Sequence, residues 1–271
     1  MPSLAWITSC RQSGCGLARA LVAGYLLDAP PGDTSPEALH DVAPELTTLF
    51  NWGRVVPLEE PRPYLVRTYL LPGTEVIQHY RAVTGKVVYL ARDPRGIMAE
   101  LIRGSRSTPE VVHQRARQLI GSPDEAVQQS DEANLNWHLH AREWTVPERV
   151  RAHFPHLDEV CVIRHEDMVS DPAAALGQIL GFLEVPGGVD DDRVRRTVEH
   201  WTLANIRATD LFDLPPGMRA YRPLPPPLRD EARPEPTAAG EIEPALEAAY
   251  QERIHGDAEF AALVKQFGYA D

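Results

Sequence analysis

The sequence predicts an α/β fold built on a parallel sheet covered by helices on both faces. Short apolar runs at residues 4–8, 86–91 and 160–163 have the length and β-branched content of buried strands. Segments with helical spacing of apolar residues separate them. Residues 4–25, LAWITSCRQSGCGLARALVAGY, pass from strand through a small-residue turn into a helix. Strands that alternate with helices pair in parallel, because the crossover between parallel neighbours needs a helix's length of chain.

Taken in order, residues 4–8 are a strand and residues 9–16 a turn with glycines at 14 and 16. Residues 17–27 follow as a helix with Leu17, Ala20, Leu21, Gly24 and Tyr25 on one face. Free N–H groups and a helix dipole make such a loop suited to a phosphate. Residues 28–60 are rich in Pro, Gly and acids and read as a surface excursion with a helical patch near 44–52. A second strand is expected within 63–71, then a short helix at 76–83. KVVYLA at 86–91, bounded by Gly85 and Pro94, is the strongest strand signal in the chain.

Helical spacing resumes at 96–103, while 107–130 is polar with few apolar anchors and reads as peripheral. Residues 134–154 read as one helix, with Trp137 and Trp144 seven apart and therefore on one face. Asp171 and Pro172 suit the N-cap and first turn of a helix running to Leu183. One further helix is expected over 190–206, and two more at 242–250 and 258–267. Residues 214–236 are proline-dense, which forbids sheet pairing and suggests an extended arm or lid. A single domain over 1–271 accommodates all of this.

Composition narrows the partners. A net charge of −12 argues against nucleic acid or an anionic membrane surface as the main partner. No apolar run reaches membrane-spanning length and no leader pattern opens the chain, so a cytoplasmic protein is expected. Cys10, Cys15 and Cys161 are an odd three, which argues against a disulfide framework. His138 and His140 diverge on a helix and make a poor metal pair, so no metal is expected. Only Lys86 and Lys265 are lysines; none lies in the 9–16 loop.

Four blocks in this order carry a resemblance: the 4–25 strand–loop–helix, KVVYLARDPR, the Trp137/Trp144 helix, and IRHEDMVSDPAAALGQILGFLEV. They resemble the sulfotransferases that use 3′-phosphoadenosine-5′-phosphosulfate (PAPS), most closely the branch that sulfates glycopeptide antibiotics in actinomycetes. The terminal HGDAEFAALVKQFGYAD resembles that branch too. The resemblance implies a three-layer α/β sandwich with a P-loop-like first turn, PAPS or its product PAP as ligand, and sulfuryl transfer to a natural-product hydroxyl. It further implies that Arg11, Gln12, Ser13, Gly14, Cys15 and Gly16 border the donor's 5′ end. Arg92 and Glu100 would then border the 3′-phosphate, and His165 the adenine.

Four positions depart from the family pattern. The lysine that steadies the departing phosphate falls on Gln12, the catalytic histidine on Tyr69, and the phosphate-binding serine on Glu100. The adenine-packing tryptophan falls on Leu17. Gln12 donates a neutral hydrogen bond but no charge, and tyrosine is a poor base at neutral pH though a good donor. A carboxylate at position 100 would repel a dianion. Two other readings therefore stand beside sulfuryl transfer: the fold turned to a PAPS-independent reaction in natural-product biosynthesis, or a silent relative that binds a ligand or partners an active enzyme. A homodimer is also an open expectation.

Overall fold

Alternation along the first strand decides how the sheet is covered. In β1 (Leu4–Thr8), Leu4 and Trp6 pack into one apolar cluster while Ala5 and Ile7 pack into another. In β3 (Thr84–Ala91), Val87, Tyr89 and Ala91 join the first cluster and Val88 and Leu90 the second. Strands buried on both faces belong at the centre of a parallel sheet. The computed structural model describes residues 4–51, 53–58, 65–104, 108–128, 133–209, 211 and 242–270; the proline-dense stretch at 214–236 lies outside them.

The sheet has the order β2-β1-β3-β4, with β2 at Leu65–Thr68 and β4 at Glu159–Arg164, and every pairing is parallel. After β1 come α1 (Cys15–Leu27), α2 (Pro36–Val42) and α3 (Leu46–Asn51). Between β2 and β3 lies α4 (Glu75–Gln78). From β3 to β4 run α5 (Pro94–Gly104), α6 (Pro109–Leu119), α7 (Pro123–Gln128), α8 (Trp137–Thr145) and α9 (Pro147–His153). Beyond β4 are α10 (His165–Ser170), α11 (Pro172–Leu183), α12 (Asp191–His200), α13 (Leu203–Arg207), α14 (Pro244–Gly256) and α15 (Ala258–Gln266). Side chains of α1, α2, α10, α11, α12 and α13 cover one face, and those of α5, α6, α8, α9, α14 and α15 the other. The result is the expected three-layer α/β sandwich.

Several boundaries differ from the sequence reading. The 134–154 helix is two, because Pro147 opens α9 at its first turn, where a missing N–H costs nothing. The 190–206 helix breaks at Trp201, whose indole donates to the Ala29 carbonyl (2.8 Å), and Thr202 then caps α13. The 107–130 stretch is less peripheral than it reads: Val112, Ala116 and Leu119 of α6 are buried. Asp171 does cap α11, accepting from the Ala174 N–H at 3.0 Å. Among the described residues no helix is long and apolar enough to cross a membrane.

Topology also places a crevice. The chain leaves β1 for β2 on one side and returns to β3 on the other, so the β1/β3 boundary is the point where strand order reverses. Ligands in open parallel sheets sit outside the carboxyl ends of the strands at such a point. Register puts those ends side by side: Thr8 pairs with Thr68 and Tyr89, and Ala91 with Arg164. The residues that follow are Ser9, Tyr69, Arg92 and His165, one from each strand.

Candidate active site

The β1–α1 loop is shaped by two left-handed residues, Gln12 (φ 63°) and Gly14 (φ 86°). Glycine takes that conformation freely; glutamine holds it at a cost on the order of 1 kcal/mol. Helix α1 begins at Cys15, two residues earlier than its spacing suggests, and Gly14 gives no side-chain cap to its first N–H groups. Around this turn lie buried polar atoms without a hydrogen-bond partner: the Thr8, Ser9 and Ser13 hydroxyls, Gln12 Oε1, Arg11 Nε and His165 Nδ1. Buried polar groups are almost always satisfied, so such a cluster marks a place for a polar ligand. Its hydroxyls and helix N–H groups suit a phosphate-like oxyanion.

His165, at the head of α10, closes one wall. A Cβ on Gly14 would lie 2.5 Å from His165 Nδ1, so the ring packs directly on the loop. Burial, and secondarily the charge of Arg92, push the imidazole down to about 3, leaving it neutral at physiological pH. Arg92 lies next to the loop, its Nη1 donating to the Gln12 carbonyl at 2.6 Å. Its Nη2 stands 3.7 Å from Glu100 Oε2, an ion pair rather than a hydrogen bond, and Glu100 also lies 3.9 Å from Arg103. Burial lowers the Arg92 guanidinium from its ordinary value, with Glu100 opposing that fall.

Tyr69 stands on the other side, after β2. The Arg67 guanidinium lies 4.1 Å from its ring centre and that of Arg11 6.0 Å. Arg11 thus turns toward Tyr69. Arg67 is itself held by Glu45 at 3.1 Å, which also pairs with buried Arg19 of α1 at 3.8 Å. Cys10 and Cys15 are buried, and their thiols meet the Leu135 and Ile7 carbonyls. Burial raises the Cys10 thiol to about 12, so no thiolate nucleophile forms there. Leu17 is half-buried.

One element that the sequence reading did not place at the site is α8, which pins two of its loops. Trp137 Nε1 donates to the Arg92 carbonyl (3.0 Å) and Trp144 Nε1 to the Leu70 carbonyl (3.0 Å). Between them, His140 Nε2 meets the Tyr69 carbonyl at 3.2 Å while Tyr89 Oη meets Nδ1 at 3.3 Å. The Tyr89 hydroxyl donates in this arrangement and the imidazole stays neutral, since burial pushes His140 down to about 3. Residues 137, 140 and 144 share a helical face, so spacing alone could have grouped them. The tail joins the same edge: Tyr269 donates to Glu166 (2.8 Å), and Glu166 accepts from the Asp93 N–H (3.3 Å). No group of three His, Cys, Asp or Glu among the described residues is arranged to hold a metal.

Buried neutral histidines make an acid prediction. His40, His140 and His165 sit near 3 in the fold and near 6.5 when exposed, so the unfolded chain binds more protons below about pH 6.5. Their stabilisation is whole above that pH and is lost progressively as pH falls toward 3. Denaturant unfolding should therefore show stability dropping by roughly 3–6 kcal/mol between pH 7 and 5. Glu45, held below the usual carboxylate range by Arg67 and Arg19 against the opposing effect of burial, adds its loss only at lower pH. A flat profile across pH 7–5 would show that these rings protonate within the fold.

The sulfotransferase-domain family matches residues 5–217. The chain is similar in structure to mouse sulfotransferase SULT7A1 complexed with PAP: TM-score 0.58, 13% identity, covering 100% of this chain and 90% of that one. Retinol dehydratase in complex with androsterone and inactive cofactor PAP aligns with TM-score 0.48 and 14% identity, over 98% of this chain and 79% of that one. No curated protein matches by sequence. With a family match running from β1 past α13, on a parallel sheet whose first loop gathers orphaned polar groups, the chain belongs to the sulfotransferase family.

Proposed function

We propose that this chain transfers a sulfuryl group from an adenosine 5′-phosphosulfate donor of the PAPS type to a hydroxyl of a small natural-product acceptor. The observation that carries this reading is the set of buried, unpartnered polar atoms around residues 8–14. The residues fit the donor's 5′ end: the Ser9 and Ser13 hydroxyls and the α1 N–H groups would hold the phosphosulfate, and His165 would border the nucleotide. The solved neighbour SULT7A1 is complexed with PAP, which supports an adenine nucleotide as ligand. The acceptor class rests on the resemblance of the terminal segment to the glycopeptide branch.

The donor supplies the sulfuryl group and leaves as a nucleotide phosphate. The acceptor oxygen forms the bond to sulfur as the bond from sulfur to the bridging phosphate oxygen breaks, and the bonding pair stays with the phosphate. The acceptor's proton passes to the Tyr69 phenol while the phenol releases its own to water, so tyrosine relays a proton without ionising. His140 and Trp144 hold the Tyr69–Leu70 backbone, and the Arg67 guanidinium steadies the ring. Charge on the leaving phosphate is met here by N–H and O–H dipoles instead of an ammonium.

Calorimetric titration with ADP and with adenosine 3′,5′-bisphosphate tests the reading. Micromolar binding of either supports it; no heat and no thermal stabilisation by both at millimolar concentration overturns it. Tyr69→Phe should then lower kcat about 10²-fold with nucleotide affinity unchanged. Nucleotide binding with no labelled sulfur transferred to any hydroxyl acceptor, and no effect of Tyr69→Phe, would favour the silent relative. The absence of lysine from the loop is what keeps that second reading in view.

A further inference from the structure

Arg92 lies against the loop from the end of β3, and its charge is already answered from within the chain. One Nη donates to the loop's own Gln12 carbonyl (2.6 Å) and the other faces Glu100 at 3.7 Å. Glu100 is only 4% exposed and Arg92 3%, so water screens little of their interaction. Arg103, 3.9 Å from the same carboxylate oxygen, adds a second positive charge. A phosphate brought to Arg92 would thus approach a buried carboxylate at close range. Arg92 and Arg103 leave the cluster with one net positive charge, yet a phosphate and Glu100 would compete for the same Arg92 guanidinium at close range, a repulsion that a neutral hydroxyl does not meet.

A carboxylate beside a nucleotide site has a different use. It accepts a hydrogen bond from a free ribose hydroxyl and rejects a phosphorylated one, as acidic residues and arginines divide the two kinds of dinucleotide in α/β folds. We propose that this chain takes a nucleoside 5′-phosphosulfate whose ribose carries a free 3′-hydroxyl, and that Glu100 is the residue that selects it. The inference rests on the donor reading above and narrows it: the 5′ end fits the loop, whereas a 3′-phosphate does not fit the Arg92–Glu100 pair.

The test is a calorimetric comparison of ADP, as a stable stand-in for the 5′-phosphosulfate, with adenosine 3′,5′-bisphosphate. It uses the full chain and its Glu100→Gln and Glu100→Ser variants. The wild-type chain should bind ADP at least 10-fold tighter than the bisphosphate, and either variant should shift that ratio about 100-fold toward the bisphosphate. Glu100→Gln keeps the side chain's shape, so it also serves where the serine variant does not fold. A second readout is thermal: the bisphosphate should raise the melting temperature of Glu100→Gln more than that of wild type. Tighter binding of the bisphosphate by wild type, or a ratio unmoved by both substitutions, overturns the selection and leaves sulfuryl transfer standing. Failure of both nucleotides to bind overturns the two together.

Discussion

Replacing Gln12 with lysine is expected to raise the rate of sulfuryl transfer by about two orders of magnitude. The loop carries no lysine, and its nearest guanidiniums are engaged elsewhere: Arg92 with the Gln12 carbonyl and Glu100, Arg11 toward the Tyr69 ring. Negative charge on the departing phosphate therefore meets no ammonium: the loop offers neutral N–H and O–H donors and the guanidinium of Arg11, whose Nε has no partner. A preorganised cationic donor in a site shielded from water contributes on the order of 3 kcal/mol to transition-state stabilisation. Gln12 already holds a left-handed backbone, φ 63°, and a lysine there takes the same conformation with no new strain. The gain should fall on kcat more than on KM, since the charge it answers appears only as the bond to sulfur breaks. A kcat within twofold of wild type, with the variant still binding nucleotide, would mean that leaving-group charge is met from somewhere else.

The second large effect is structural. Gly14→Ala should cost about 2–4 kcal/mol of stability and abolish nucleotide binding. Gly14 has φ 86°, which an alanine adopts only under strain. Its Cβ would also fall 2.5 Å from His165 Nδ1 and 2.8 Å from Met168 Cε. His165 is buried and Met168 fully so, leaving little room to yield. Displacing α10 from the loop separates the wall of the site from its floor, so stability and binding should fall together. Urea unfolding and ADP titration read the two independently. A variant within 0.5 kcal/mol of wild type that still binds would show that the wall moves without consequence.

The order of strands and helices was legible because its signals are local. Residues 4–8 and 86–91 are apolar at nearly every position, and a strand buried on both faces needs no more than that. The cap at Asp171 and proline at 172 read the same in sequence and structure for a similarly local reason. Errors came where a distant partner decided the outcome. Ala29 captures the Trp201 indole and ends α12, and the buried face of α6 shows only once its partners are in place. Pro147 was a visible local signal that the strong Trp137/Trp144 spacing outweighed.

The candidate site divides along the same line. By itself the sequence determined that a small-residue turn joins β1 to α1 with no lysine in it, and which residue types stand at positions 12, 69, 92, 100 and 165. Only the tertiary structure decided that Glu100 faces inward onto Arg92, that Arg67 rather than Arg11 lies closest to Tyr69, and that α8 pins both flanking loops through Trp137, His140 and Trp144. The physical reason is range. Backbone preference and apolar periodicity act between neighbours in the chain, whereas charge neutralisation and ring N–H hydrogen bonds act between groups that meet only after the strands have paired.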